Sequence, residues 1–225
     1  NMNKAADTLA KVVELAPDRI AVYSFAFLPT LRDNQRKINK AELPDTELKF
    51  DLYLMAIERL QQAGYAMIGM DHYAKPEDEL AVAWRERRLR RNFMGYTTKA
   101  ETDVLAFGAT GIGDVSGYYY QNEKENAAYY ERLGRGDLPV QRHMTLDADD
   151  LIRRKVIMDI LCNGVVLKDE VSHQFSIEFD GYFSSEAERL APLAAKELVR
   201  NDSRVVEATA LGRFFLRNLA LVFDN

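Results

Sequence analysis

The sequence predicts an α/β fold, read as the later part of a β/α barrel followed by a helical, winged-helix-like C-terminal domain. Three observations carry this. Short apolar runs alternate with amphipathic helical stretches up to about residue 107, the order that builds sheets through right-handed crossovers. Those units are too few to close a barrel by themselves. After about residue 140 the pattern changes to successive helices with a strand pair near the end. The division is therefore drawn as 1–140, the barrel portion with its active-site loops, and 141–225, the helical domain.

The elements follow in order. Leu9, Val12, Val13, Leu15 and Ala16 lie at helical spacing over residues 2–16, and Pro17-Asp18 stops that helix. Arg19–Leu28 is an almost unbroken apolar and aromatic run, the pattern of a strand buried on both faces in a parallel sheet. A polar loop from Pro29 to Pro44 contains Gln35-Arg36-Lys37. Thr46 caps a helix that closes near Gly64, and Tyr65–Met70 is the next buried strand. Pro76 opens a helix with acid in its first turn and arginines 85, 87, 88 and 90 at its end, both complementing the helix dipole. Val104–Phe107 reads as a third short strand, closed by glycines. Beyond residue 140, Leu146-Asp147 starts a helix. A second helix is expected over Lys168–Phe175, a third over Ser185–Val199, a strand over Val205–Thr209, and a closing helix over Leu211–Phe223.

Composition narrows the function classes. Of 225 residues, 47% are apolar, ample for a packed core, and the net charge of −5 gives no pull toward nucleic acid or anionic membrane. The expected recognition helix of the winged-helix-like segment, Ser185–Leu198, is neutral to acidic, whereas phosphate neutralisation requires a basic face. No apolar run approaches the ~18–20 residues that span a bilayer. No nucleic-acid or membrane partner is therefore expected. The one cysteine, Cys162, excludes a disulfide framework and suits a reducing, cytoplasmic location. Its place between Leu161 and Asn163 in an apolar helix points to packing.

The candidate chemistry is concentrated between residues 69 and 113. Asp71-His72 follows a buried strand, where functional groups gather in parallel α/β folds. His72 can shuttle a proton or bond a substrate carboxylate with Asp71 holding it, or be a loop histidine satisfied by its neighbours. His143 and His173 have no second ligand at metal-like spacing, so no metal site is expected. Among the arginines, Arg91 stands beside the polar-aromatic loop and is the one favoured to pair with an anionic group; the others balance a helix end. Gly108, Gly111 and Gly113 do not form the dinucleotide fingerprint, since their order is G-x-x-G-x-G. They either let backbone approach a ligand closely or make a simple turn. Tyrosines 118, 119, 120, 129 and 130 suit core packing or an apolar cavity wall.

Several strings taken together carry a resemblance. Gln35-Arg36-Lys37-Ile38, Gly64-Tyr65 with Ile68-Gly69-Met70-Asp71-His72, and Pro76-x-Asp78-Glu79-Leu80-Ala81-Val82 come first. Arg91-Asn92-Phe93-x-Gly95-Tyr96-Thr97-Thr98, Asp150-x-Ile152-Arg153-Arg154 with Leu161-Cys162-Asn163, and Gly212-Arg213 with Arg217-Asn218 follow in the same order. Over Pro17–Asp224 the chain resembles the later part of oxygen-independent coproporphyrinogen III oxidase, also called coproporphyrinogen dehydrogenase, a radical S-adenosylmethionine family of haem biosynthesis.

The resemblance implies a (β/α)6 radical-SAM barrel followed by a helical C-terminal domain. It implies S-adenosylmethionine and a 4Fe–4S cluster as cofactors and a porphyrinogen as substrate. In the family a 5′-deoxyadenosyl radical takes hydrogen from two propionates in turn; each loses carbon dioxide and an electron to leave a vinyl, giving protoporphyrinogen IX. Ala26 and Ile112 match positions that contact S-adenosylmethionine, and Gly111 and Gly113 flank the second. Asp71, His72 and Arg91 are the candidate catalytic residues. The cluster-binding Cys-x-x-x-Cys-x-x-Cys segment belongs to an N-terminal half that this sequence does not include, so the chain alone is expected to be inactive. A further departure is Met94, where the family commonly carries glutamine; an active-site hydrogen bond is then lost, consistent with a divergent paralogue. The alternative function is a tetrapyrrole- or haem-binding protein that has lost radical chemistry. Exposed barrel edges would favour a homo-oligomer.

Overall fold

Residues 1–99 and 102–224 are described by the computed structural model, and their contacts fall into an N-terminal unit, Asn1–Glu86, and a C-terminal unit, Arg87–Asn225. The division read from the sequence at residue 140 follows the change in element type and not this partition of contacts. Both units mix helices with short antiparallel strands.

In the N-terminal unit, α1 (Met2–Leu15) is capped by the Asn1 side chain and ends at Ala16 in the left-handed region. Helix α2 (Thr46–Gln62) takes Asp45, one residue earlier than expected, as its N-cap: the Asp45 carboxylate accepts from Leu48 N. A three-stranded sheet of order β1-β3-β2 combines β1 (Arg19–Ala21), β2 (Ala66–Gly69) and β3 (His72–Ala74). Ile57, Leu60, Tyr65 and Tyr73 form the core here, with Leu9, Val13 and Ile20 packed against them. Helix α3 (Glu79–Arg85) starts after Asp78, whose side chain accepts from Leu80 N.

The sheet departs from the expected parallel pairing. Both described ladders are antiparallel: Met70-Asp71 is a two-residue turn that folds β3 straight back along β2, and β1 pairs with the other edge of β3. The expected strand Arg19–Leu28 is regular only to Ala21. Beyond it Tyr23, Phe25 and Leu28 are exposed, and the run has no strand partner among the described residues.

In the C-terminal unit, β4 (Arg90–Asn92) and β5 (Gly95–Thr97) form a hairpin where a polar-aromatic loop is expected. Strands β6 (Ile112–Val115), β7 (Tyr118–Asn122) and β8 (Val140–Thr145) form a meander, with α4 (Asn126–Gly134) between the last two. The expected strand Val104–Phe107 reduces to one bridge, Val104 with Asp114. Leu105 and Phe107 are exposed, the chain being drawn off into the glycine turn.

Helix α5 (Ala148–Asn163) has a capping box between Asp147 and Asp150 and a left-handed Gly164 at its C-cap. Next come β9 (Val165–Leu167), α6 (Lys168–Phe175), α7 (Phe179–Tyr182) and α8 (Ser184–Ala194), then β10 (Val199–Asn201) and β11 (Val205–Ala208) in a sheet of order β10-β11-β9. The third expected helix thus stops five residues early: Glu197 turns left-handed, at φ 58°, and frees Val199 for the sheet. The closing helix is likewise broken into a tight turn, Gly212–Phe215, and α9 (Leu216–Ala220). Phe183 anchors this core, its ring 4.8 Å from Phe179 and 5.3 Å from Phe223.

Candidate functional site

The β2–β3 turn presents the acid–imidazole pair. Met70 is left-handed, at φ 39°, the Tyr53 hydroxyl donates to the Met70 carbonyl at 3.1 Å, and Val22 N donates to the Asp71 carbonyl at 2.8 Å. The turn is thereby fixed from both sides. Asp71 Oδ1 lies 2.8 Å from His72 Nδ1, which orients the imidazole. Both side chains are partly buried. Behind them Tyr73 is fully buried, its hydroxyl without a hydrogen-bond partner among the described residues, and burial pushes its phenol pKa upward.

Ala26 lies on the exposed extension of β1. Gln35 explains its conformation: the amide donates to the Ala26 carbonyl at 3.1 Å and accepts from Leu28 N at 2.5 Å. Arg36 donates to the Pro29 carbonyl at 3.1 Å. The Gln35-Arg36 string is a splint for the segment that carries Ala26.

In the C-terminal unit the hairpin gives a physical account of Asn92-Phe93-Met94-Gly95. Asn92 Oδ1 accepts from Met94 N at 2.9 Å, and Gly95 takes φ 129°, which a side chain disfavours. Met94 is the exposed tip, 88% accessible. Arg91 lies on β4 with its guanidinium 5.8 Å from the centre of the Tyr96 ring. The Tyr96 hydroxyl donates to the Leu161 carbonyl at 2.9 Å, tying the hairpin to α5. Arg91 Nε is buried and makes no hydrogen bond among the described residues.

Arg91 lines a cavity of about 640 Å³ between the hairpin and α5. Arg90, Lys99, Arg154 and Lys155 contribute cations to it; Asp114, Asp159 and Glu170 contribute carboxylates. Arg154 forms a bidentate pair with Asp114, its shorter contact 2.5 Å, and stacks 5.2 Å from the Tyr119 ring. Lys155 pairs with Asp159. Burial pushes the Asp159 carboxyl upward against the pull of Lys155.

The glycine turn is pinned by aromatic hydroxyls. Ala106 N donates to Tyr120 Oη at 3.0 Å, and Gly108 N to Tyr129 Oη at 2.9 Å. Asn122, almost wholly buried, donates to the carbonyls of Ala106 and Gly108 at 3.3 and 3.0 Å. Gly108 sits at φ 89°. Gly111 has no room for a freely placed side chain, since a Cβ would lie 3.1 Å from that of Ala106. Ile112 opens β6 and lines a largely apolar pocket of about 280 Å³ with Phe93, Tyr119 and Tyr120. The sequence placed tyrosines here as packing or cavity residues; their hydroxyl bonds to the turn were not foreseeable without the meander. Arg154 stands in one of the quoted strings, but neither it nor Lys155 could be assigned to a cavity, because a polar face of a helix carries no signal of what it will meet.

Among the described residues no group of His, Cys, Asp and Glu could hold a metal ion. Cys162 is buried, and burial pushes its thiol pKa up to about 12. One buried thiol of that kind does not fit the thiolate set of a 4Fe–4S cluster. Among the described residues no helix is long and apolar enough to cross a membrane.

No family model matches the chain. Among curated proteins it is 44% identical over 217 residues to the oxygen-independent coproporphyrinogen III oxidase of Salmonella typhimurium, covering 96% of this chain and 48% of that one. It is 42% identical over 218 residues to the protein of that name in Thermostichus vulcanus, covering 96% and 67%. Among solved structures, coproporphyrinogen III oxidase from Escherichia coli, described as a radical SAM enzyme, superposes with a TM-score of 0.96 at 43% identity, covering 98% of this chain and 51% of that one. The chain spans about half the length of most of the curated relatives it matches.

Proposed function

The chain belongs to the oxygen-independent coproporphyrinogen III oxidase family, and we propose that it forms one wall of the site in which coproporphyrinogen III is oxidatively decarboxylated to protoporphyrinogen IX. The observation that carries the reading is identity above 40% sustained over nearly the whole chain, with a superposition of matching extent. In this reading residues 1–140 are the later part of a (β/α)6 radical-SAM barrel with its loops. Residues 141–225 are a winged-helix-like domain, which the order α5, β9, α6, α8, β10, β11 supports.

S-adenosylmethionine and a 4Fe–4S cluster supply radical hydrogen abstraction in the family. The cluster ligands come from polypeptide other than this. Toward S-adenosylmethionine this chain offers Ala26, braced by Gln35, and Ile112 between Gly111 and Gly113 on an apolar pocket. His72, oriented by Asp71, shuttles a proton or bonds a substrate carboxylate, and Arg91 pairs with an anionic group of the substrate. We place the protein in the cytoplasm, with the porphyrinogen as its partner and no nucleic acid or membrane. The open edge at Tyr23–Leu28 is taken as the seam to the rest of the barrel and, in the isolated chain, as a route to a homo-oligomer.

A chimera tests the function. This chain replaces the matching half of the Escherichia coli enzyme, and anaerobic conversion of coproporphyrinogen III is followed by chromatography of the oxidised porphyrins. Protoporphyrin is the expected product. A folded chimera that carries its cluster yet forms no vinyl product contradicts the reading. The chain alone, after reconstitution with iron and sulfide, is expected to give no electron paramagnetic signal of a site-differentiated 4Fe–4S cluster.

A further inference from the structure

The cavity between the β4–β5 hairpin and α5 has no assigned occupant, and its chemistry is uneven. Five cationic side chains line it against three carboxylates. Two of the cations, Arg154 and Lys155, are held by Asp114 and Asp159. Arg90 spends one donor on the Leu89 carbonyl at 3.1 Å. Arg91 differs: its only described partner is the face of Tyr96, and its Nε is a buried donor with nothing to accept from it. An unsatisfied buried donor on a guanidinium costs more than a neutral one, so it marks a place built for an acceptor that arrives with a ligand. The rest of the lining is consistent. Leu151, Met158, Val104 and Phe175 supply apolar wall, which suits an aliphatic arm ending in a charged group. The volume of about 640 Å³ accommodates such an arm and its water, while a whole tetrapyrrole would need far more of its surface covered.

We infer that this cavity is a carboxylate pocket: it takes one carboxyalkyl arm of the substrate, with the Arg91 guanidinium as the primary donor and Arg90 and Lys99 completing the positive field. The pocket deepens the proposed function, on which its identification with a substrate arm rests. Arg91 is in this sense a positioning residue. It holds an arm and thereby sets which arm reaches the reacting centre.

Two measurements test it separately from the functional reading. In the 225-residue chain, sodium propionate at constant ionic strength is expected to shift the Arg91 Nε–Hε NMR signal saturably, while equimolar chloride leaves it in place. The absence of a propionate shift, or an equal shift with chloride, overturns the pocket whatever tetrapyrroles do. In the active chimera, Arg91→Gln is expected to raise KM for coproporphyrinogen about tenfold or more, the value of one charge-assisted hydrogen bond. Arg91→Lys, which keeps the charge and loses the fork, is expected to fall between. An Arg91→Gln chimera with unchanged KM and product pattern also overturns the pocket, and leaves the functional reading standing. A chimera with no activity, in a chain whose Arg91 still responds to propionate, sinks the functional reading and keeps the pocket.

Discussion

Gly113 passes so close beneath Tyr120 that a methyl group on it would lie 2.1 Å from the ring's Cε1. The ring rests where a side chain would be, and its hydroxyl accepts from Ala106 N at 3.0 Å. The bare backbone at 113 therefore sets the position of the preceding turn. Gly113→Ala is expected to displace the ring and destabilise the protein by about 1–3 kcal/mol, read as a lower denaturant midpoint. In a Tyr120→Ala background the same change has nothing to displace. Equal costs in both backgrounds would show that the contact does not matter.

Gly212 is the more severe case. A Cβ there would stand 1.7 Å from the Leu198 carbonyl oxygen, and a backbone atom cannot rotate away. Gly212 N also donates to Thr209 Oγ1 at 3.0 Å, fixing the turn into the C-terminal segment. Gly212→Ala is expected to cost more than Gly113→Ala and to speed hydrogen exchange in β10 and β11. A midpoint shift smaller than that of Gly113→Ala would contradict this ranking.

These two glycines illustrate what the sequence made legible. Helices α1, α2 and α5 were readable because their apolar positions recur at helical spacing and their ends carry Asn, Asp or Gly caps. The meander was not: Tyr118, Tyr119 and Tyr120 give no polar alternation, and their order becomes visible only in register with Gly113 and His143. Arg19–Leu28 was read as doubly buried from composition alone, yet its burial needs a neighbour that the described residues do not supply. Asp71 and His72 were legible as a pair because they are adjacent in sequence where a buried strand ends. Arg91 was legible from its place beside the polar-aromatic loop; Arg154, though in a quoted string, and Lys155 gave no sign that they face the same cavity.

Arg153, on α5, is tied to α8 and to the C-terminal segment. It pairs with Glu186 at 2.8 Å and Asp149 at 2.7 Å, donates to the Phe223 carbonyl at 3.2 Å, and lies 5.6 Å from the Phe183 ring centre. Glu186 is only 3% exposed. Arg153→Met is expected to leave that carboxylate uncompensated and cost about 3–5 kcal/mol. Adding Glu186→Gln should recover part of it. Thermal unfolding of the three variants decides the matter, and a double variant no better than the single one argues against the pair.

The tie between Tyr182 and Asp149 carries a pH dependence. The Tyr182 hydroxyl, with Arg153 beside it, holds the Asp149 carboxyl below its ordinary value of 3.8. The same bond pushes the Tyr182 phenol up to about 12. Asp149 thus binds its proton less readily folded than unfolded, so its contribution is present at neutral pH and lost as pH falls through the folded value. Tyr182 holds its proton more tightly folded, so its contribution is present below about pH 10 and lost as pH rises toward 12. Tyr182→Phe should lower stability at pH 7 and flatten both limbs of the profile. Parallel profiles for the two proteins would mean that the tie contributes nothing.

The exposed run after β1 is the last test. Tyr23 is 77% and Phe25 53% accessible, and no described strand pairs with them. Backbone donors and acceptors in such an edge seek a neighbour, and apolar side chains beside it strengthen the tendency. The isolated chain is therefore expected to self-associate with rising concentration, seen as a growing sedimentation coefficient. Replacing Tyr23 and Phe25 together with lysine places charge on the edge and should keep the chain monomeric, with an unchanged helical signal. In the chimera, where the rest of the barrel is supplied, the same pair of changes should instead impair assembly and activity. A chain that stays monomeric at high concentration, or a doubly substituted chimera with full activity, would show that this edge is not the seam.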